Sequence, residues 1–443
     1  MIILEKSVIF AGKMNKRDLQ ILKIALPAIV TNITVPLLGL VDTAIVGHMG
    51  SAAYIGAIAV GSMIFNLIYW LFGFLRMSTS GLTAQARGRR DFGEMTGLLT
   101  QSVTVALATA AVLLVFQWPL YRLMLWLIGP TTDVSMLVDV YFRIVIWGAP
   151  AMLGLYALSG WFIGMQNTRT PMVISILQNV VNILASLFFV YGLGMKVSGV
   201  AFGTVVAQYA GLVVAVVMLK QYYWRHLKWR QSLWASFRTW GLSRCEVSVD
   251  IFLRTVCLVA VNLYFTAAGA RQGAEVLAAN TLLMQLYLLF SYVMDGFAYA
   301  GEALGGRFWG ARQLRSYRSV VRHIFLWGAA MTVLFTFIYI IGGMPFLRLL
   351  TDHPHVVAAS EGYVWWAYLI PVAGAAAFIW DGIFIGTTHT RGMLFSAAIA
   401  AVVFFTVAYK MMPLYGNQAL WFAMILFLAV RGIIQTFIRP RMR

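Results

Sequence analysis

A carboxylate in the middle of an apolar helix is the first residue in this chain that could do chemistry. It is Asp42, in the stretch TNITVPLLGLVDTAIVGHMG over residues 31–50. An ionised Asp at the centre of a membrane helix costs about 2.5–3.5 kcal/mol on insertion scales, so it is expected to face a cavity or a partner rather than lipid. Thr31 falls on the same helical face, eleven residues away, and Gly39 lies one turn before Asp42. After Lys23 the helix holds no Lys or Arg. The charge must therefore be met by another helix, by water, by a proton or by a bound cation. Pro27 and Pro36 each remove a helix hydrogen bond and invite a bend in the same segment.

A second set is uncharged. In PMVISILQNVVNILASLFFVYG, Gln178, Asn179, Asn182 and Ser186 recur at three- and four-residue spacing and form one polar stripe. Such a stripe either glues helices together or lines a hydrated cavity. Thr204 and Gln208 in GVAFGTVVAQ could share it. A third set is charged. Asp139 with Arg143, and Asp250 with Arg254, stand at i, i+4, a spacing at which each pair can neutralise itself. Asp295 and Asp381 each precede a glycine, which marks both as candidate gate or ion-pair positions.

Other chemistries lack their motifs. There is no Walker G-x-x-x-x-G-K-[ST], no G-x-S-x-G elbow and no H-E-x-x-H, and His353-Pro354-His355 is a weak metal signal. The two cysteines, Cys245 and Cys257, imply no disulfide framework. No cofactor and no metal are expected, nor is the chain read as an enzyme. The first twenty residues are too charged, and their apolar runs too short, for a cleavable signal; Met14 offers an alternative start.

The elements that hold these residues are membrane spans. The 443 residues are 61% hydrophobic and 11% charged, with a mean hydropathy of +0.81, too apolar to cover a soluble globule. Twelve apolar segments are expected at 20–46, 52–76, 95–120, 133–161, 171–193, 197–220, 244–268, 275–300, 318–342, 355–385, 392–411 and 415–438. Each is near the ~20 residues that cross the hydrocarbon layer. With the N-terminus inside, 26 Lys and Arg fall on the inner side and five on the outer, Arg122, Lys196, Arg271, Arg348 and Lys410. Both termini are thus expected in the cytoplasm. The net charge of +18 is then explained by anionic lipid headgroups, not by nucleic acid.

The chain also repeats itself. Asp139 and Glu361, Pro150 and Pro371, Phe162-Ile163-Gly164 and Phe384-Ile385-Gly386, and Thr168-Arg169 and Thr390-Arg391 stand about 222 residues apart. Six spans separate equivalents, so both halves run in the same direction, a recognised transporter design. The fold class is all-α: twelve transmembrane helices in two pseudo-twofold-related six-helix lobes. The lobes are read as 1–220 and 244–443, and 221–243 as a basic, aromatic segment lying on the inner membrane surface.

With these features in place, the chain resembles the multidrug and toxic compound extrusion (MATE) transporters. The motifs are GLVDTAIVGHMG, FIGMQNTRTPM with its echo FIGTTHTRGM, and the Asn-bearing helix that runs into YGLGMKVSGVAFGT. FLRMSTSGLTAQARGRRD and VMDGFAYAGEALGG look closest to the family's DinF-like bacterial branch. The resemblance implies a monomeric antiporter of a bacterial inner membrane. It would expel cationic, amphipathic compounds by alternating access, driven by entering protons or sodium. It implies Asp42 as the coupling acid, Pro27 as the bend, and Asn182 and Thr204 in the amino-terminal cavity. The family's second carboxylate on helix 5 is missing: the chain reads Asn182-Ile183-Leu184-Ala185-Ser186-Leu187. That favours protons over sodium. Two other readings stay open, a lipid-linked precursor flippase and a major facilitator. Arg143 and Arg254 speak for the first, and Gly88-Arg89-Arg90 in an inner loop for the second.

Overall fold

The structure is a computed structural model that describes residues 15–47, 52–129, 131–227, 242–351 and 353–440. The side chains of 35–44, 46–47, 52, 226 and 242–244 are not among those described. Among the described residues there are helices and connections and no strand. Eleven helices are long and apolar enough to span a membrane: α2 (Ala53–Arg89), α3 (Phe92–Val115), α4 (Thr132–Gly164), α5 (Arg169–Gly192), α6 (Val197–Tyr223), α7 (Cys245–Arg271), α8 (Ala274–Gly310), α9 (Leu314–Leu350), α10 (Val364–Thr387), α11 (Thr390–Tyr415) and α12 (Asn417–Phe437). Numbering starts from α1 (Lys16–Gly47), which brings the total to the expected twelve. The tenth segment begins later than expected. Residues Pro354–Glu361 form a short helix of their own, and the chain turns at Gly362-Tyr363 before α10 starts.

Why these segments span is visible in their outer surfaces. On α9, Leu326, Val333, Leu334, Phe337, Ile338, Ile340 and Ile341 are all exposed. In water such a surface would drive aggregation, whereas in a bilayer it meets acyl chains at no cost. Helix starts and ends follow local rules. Asp91 caps α3 by accepting the backbone N–H of Glu94 at 2.9 Å.

The internal repeat is written into the backbone. The left-handed positions pair off: Arg90 with Arg312, Gln166 with Thr388, and Gly194 with Gly416, each pair 222 residues apart. Close helix approaches repeat at the same interval. A Cβ on Gly160 would stand 2.3 Å from the Arg76 carbonyl oxygen, and one on Gly382 would stand 2.2 Å from that of Ala298. Gly164 meets the Ser80 carbonyl oxygen at 2.6 Å, and Gly386 that of Glu302 at 2.7 Å. Both halves thus use G-x-x-x-G (Gly160 and Gly164 on α4, Gly382 and Gly386 on α10) to bring a helix against the backbone of its neighbour. This close contact substitutes for hydrophobic drive between helices in lipid.

The helices form two compact units. One is Val30–Arg244; the other joins the start of α1, up to Ile29, to Cys245–Arg443. A segmentation by sequence at 1–220 and 244–443 puts all of α1 in the first half. In the structure its opening turns pack instead with helices of the second. Trp327 Nε1 donates to Asp18 at 3.0 Å and Arg17 Nη2 donates to Ser316 Oγ at 3.0 Å. Ile29 and the Ala25 carbonyl fill the space left by the missing side chain of Gly296. The division falls two residues past Pro27, within the turn that the proline weakens.

Candidate functional site

In the Val30–Arg244 unit the polar stripe of α5 faces inward. Val173, Ile176, Val180, Leu184 and Leu187 cover its exposed side. The opposite side carries Ser175, Gln178, Asn179, Asn182 and Ser186, as the three- and four-residue spacing requires. Asn179 Nδ2 donates to the Thr34 carbonyl of α1 at 3.0 Å. Thr34 Oγ1 donates to the Thr31 carbonyl at 2.7 Å and lies 3.3 Å from Ser175 Oγ. Toward α6, Asn182 Nδ2 donates to Thr204 Oγ1 at 3.3 Å, and Thr204 Oγ1 donates in turn to the Val200 carbonyl at 3.0 Å. Gln178 packs on Gly211 of α6. Four of the six expected cavity residues, Gln178, Asn182, Ser186 and Thr204, thus lie on the facing sides of α5 and α6, and a fifth, Asn179, faces α1. The sixth, Thr31, is half-buried on α1.

The hydrogen bonding of this network is incomplete. Asn182 Oδ1, Ser186 Oγ and Gln208 Oε1 are buried with no partner. Gly203 allows α6 to approach Ser186 so closely that a Cβ there would lie 2.3 Å from the hydroxyl. A buried acceptor without a donor costs about 1–3 kcal/mol. Two of them, Asn182 Oδ1 and Ser186 Oγ, lie where α5 meets α6, whereas the Gln208 amide is turned toward Gly148 of α4. Pro27 is half-buried within a continuous α1. The side chains of Asp42 and Pro36 lie outside the described residues, although their backbone belongs to α1. Tyr191 of α5 donates to the carbonyl of Ile45, one turn beyond Asp42, at 3.1 Å.

The charged residues behave differently. Asp139 and Arg143 form the expected i, i+4 pair, Nε to Oδ2 at 2.8 Å, with the Arg side chain 62% exposed. The other expected pair does not form. Asp250 accepts from Thr390 Oγ1 at 2.7 Å, while Arg254 donates Nη2 to Asp381 Oδ2. The same oxygen accepts from Arg431 Nη2 at 2.7 Å, and Oδ1 accepts from Gln435 Nε2 at 2.7 Å. One carboxylate on α10 thus gathers two guanidinium groups and an amide from α7 and α12, all nine-tenths buried or more. By sequence Arg431 is one of the 26 basic residues assigned to the inner side, and nothing in that count points to this cluster. The signal available was that Arg431 and Gln435 stand one turn apart on an otherwise apolar helix. The glycines after Asp295 and Asp381 are contact points. Gly296 admits α1 and Gly382 admits the α8 backbone, and the helices run on through both. Among the described residues no group of three or more His, Cys, Asp or Glu could hold a metal.

Comparison with known proteins agrees with this architecture. The family model MatE matches residues 27–188 and again 251–410, one copy in each half of the repeat. The DNA damage-inducible protein F of Escherichia coli is 35% identical over 424 residues, covering 95% of this chain and 91% of that one. The multidrug resistance protein MdtK of Yersinia enterocolitica is 24% identical over 394 residues, covering 85% and 83%. Among solved structures, the outward-facing conformation of a multidrug resistance MATE family transporter of the MOP superfamily superimposes with a TM-score of 0.84. It is 16% identical and covers 96% of this chain and 95% of that one, a likeness of fold. A major facilitator is thereby excluded, and with it an enzymatic role: two family-model matches, a relative of nearly full length and twelve helices in two similar halves make the chain a membrane transporter of the MATE family.

Proposed function

We propose that this protein is a secondary antiporter that exports cationic, amphipathic compounds in exchange for protons by alternating access. The observation that carries the reading is the incompletely bonded set where α5 meets α6. Asn182 Oδ1 and Ser186 Oγ are buried acceptors in a helix whose other face is bare hydrocarbon. Acceptors without donors suit a guest that brings N–H groups or positive charge. Asp42, on the helix that Asn179 ties to α5 through Thr34, supplies the negative charge in this reading.

The mechanism follows from competition for one carboxylate. Ionised, Asp42 holds a cation near Asn182, Ser186 and Thr204, with Thr31, Gln178 and Asn179 completing the polar wall. Protonated, it loses that attraction, and α1 bends at Pro27 and Pro36 to discharge the guest outward. The membrane potential supplies about 2.3 kcal/mol per charge per 100 mV and each pH unit about 1.4 kcal/mol, enough together to drive the cycle. Sodium is the less favoured coupling ion, because α5 offers Ser186 where a second carboxylate would complete an oxygen cage. The orientation in this reading is that of a bacterial inner-membrane protein, with both termini in the cytoplasm and a single chain as the working unit.

The test is efflux of a cationic dye from vesicles holding the purified protein, under an imposed pH gradient and, separately, a sodium gradient. The pH gradient alone is expected to drive transport, and Asp42→Asn to abolish it. Transport driven only by sodium, or retained in Asp42→Asn, would overturn the assignment.

A further inference from the structure

The α7–α10–α12 cluster has more donors than it can use. A guanidinium offers five N–H groups. Arg254 and Arg431 each spend one on the same oxygen of Asp381, and Gln435 takes the other oxygen. Both Nε atoms are buried without a partner, and so is Gln435 Oε1. A structural ion pair would be complete with one arginine, and burying a second cation costs several kcal/mol. Asp295 on α8 is close enough to act on Arg254 electrostatically. It does not supply hydrogen-bond partners for the two orphaned Nε groups, which remain without one. Nor does the fold require charge here. The residues 222 positions before Asp381 and Arg431 are Ser159 and Tyr209, and the stretch of α1 that matches Arg254 is Val30-Thr31-Asn32. The same helices pack in the other unit with no ion pair at these positions.

We propose that Arg254, Arg431 and Gln435 form a receptor for an oxyanion head group (a carboxylate, sulfonate or phosphate) on an amphipathic molecule. Asp381 is its tethered stand-in, the internal carboxylate that occupies the two arginines until a guest with more acceptor oxygens displaces it. Forked donors that share one acceptor are the arrangement best matched to a group with two or three oxygens. The site is separate from the α5–α6 acceptors of the other unit and has the opposite preference. Its existence does not depend on which cation or ion the antiport reading assigns there.

The test uses the full chain, purified in a neutral maltoside detergent, with its thermal unfolding midpoint followed against octane sulfonate. Octyltrimethylammonium and inorganic phosphate serve as controls. Octane sulfonate is expected to raise the midpoint saturably, and the cationic analogue to leave it unchanged. In Arg431→Gln the apparent affinity for octane sulfonate should fall roughly tenfold, the value of one charge-assisted hydrogen bond. In Asp381→Asn, where the stand-in loses its charge, it should rise severalfold, and the ligand should recover stability that the substitution removes. Arg431→Lys keeps the charge without the fork; it should bind more weakly than wild type and gives a second reading if Arg431→Gln does not fold. Phosphatidylglycerol added at matched concentration identifies the source: competition with octane sulfonate assigns the site to a lipid phosphate as well, and no competition assigns it to free amphiphiles. A wild-type midpoint indifferent to both anions would mean that water alone fills the cluster. That result, or an Asp381→Asn protein that binds no more tightly than wild type, overturns the proposal.

Discussion

The two halves of this transporter share a frame and differ in what they bury. Gly160 and Gly164 bring α4 onto α2, and Gly382 and Gly386 bring α10 onto α8, with matching distances to the facing carbonyls. The left-handed residues that end the connections match as well. Upon this common frame the Val30–Arg244 unit places amides and hydroxyls, with acceptors left open on α5 and α6. The Cys245–Arg443 unit places charges, with donors left open on α7 and α12. Duplication therefore fixed the positions where helices must touch and left the interior side chains free to diverge. Fold resides in the glycines and chemistry in the residues beside them: Asp381 immediately precedes Gly382, and its counterpart before Gly160 is Ser159.

The sharpest break of the comparison is at Asp42. Asp42→Asn should reduce the proposed pH-driven efflux of a cationic dye to background while the protein elutes at the wild-type volume on size-exclusion chromatography. The next largest effect belongs to the other half. Asp381→Ala strips two buried guanidinium groups of their shared partner, and breaking a buried pair in this way costs about 3–5 kcal/mol. The thermal midpoint in detergent should fall accordingly. A midpoint within a degree or two of wild type would mean that the arginines are hydrated and the cluster is not a closed one. Gly382→Ala and Gly160→Ala come third. Each places a methyl group against a backbone oxygen that cannot rotate away, and overpacking of this kind costs roughly 1–3 kcal/mol. Because the two approaches are equivalent, the two losses should be equal within error; unequal losses would show that one half bears more of the packing than the other.

Much of this frame was legible in the chain itself. Each of the twelve spans overlaps its expected segment, because a run of apolar residues long enough to cross lipid has few alternatives; the misses are at ends, where α10 starts nine residues late and α2, α8 and α9 run on to Arg89, Gly310 and Leu350, past the expected 76, 300 and 342. The polar stripe of α5 was legible for the same reason: Gln178, Asn179, Asn182 and Ser186 share a face at helical spacing, and only one face can avoid lipid. The charged cluster was not. Asp250 and Arg254 have the spacing of a local pair, yet Thr390, 140 residues further on, satisfies Asp250, and Asp381, 127 residues further on, takes Arg254. Long-range partners depend on which helices adjoin, and periodicity carries no such information. Arg431 is the plainest instance. Near the end of a span a basic residue reads as a topology signal, but burial against α10 gives it a different role.

The smaller effects sharpen the contrast between open and closed polar groups. Ser186→Ala removes a buried hydroxyl that has no partner, so stability should change by no more than about 1 kcal/mol. If the proposed antiport holds, efflux of the cationic dye should nevertheless weaken, because in that reading the lost oxygen is one offered to the guest. The same substitution with unchanged transport and lower stability would make Ser186 a helix-packing residue on Gly203 instead. The least consequential change is at the pair that sequence alone identified. Arg143 is mostly exposed, its bond to Asp139 lies within one turn of α4, and exposed pairs of this kind contribute about 0.3–0.5 kcal/mol. Arg143→Gln should leave the midpoint within about a degree and efflux intact. If instead it matched the loss at Asp381, α4 would be holding a charge network of its own, and the contrast between a first half without a buried ion-pair cluster and a second half built on one would fail.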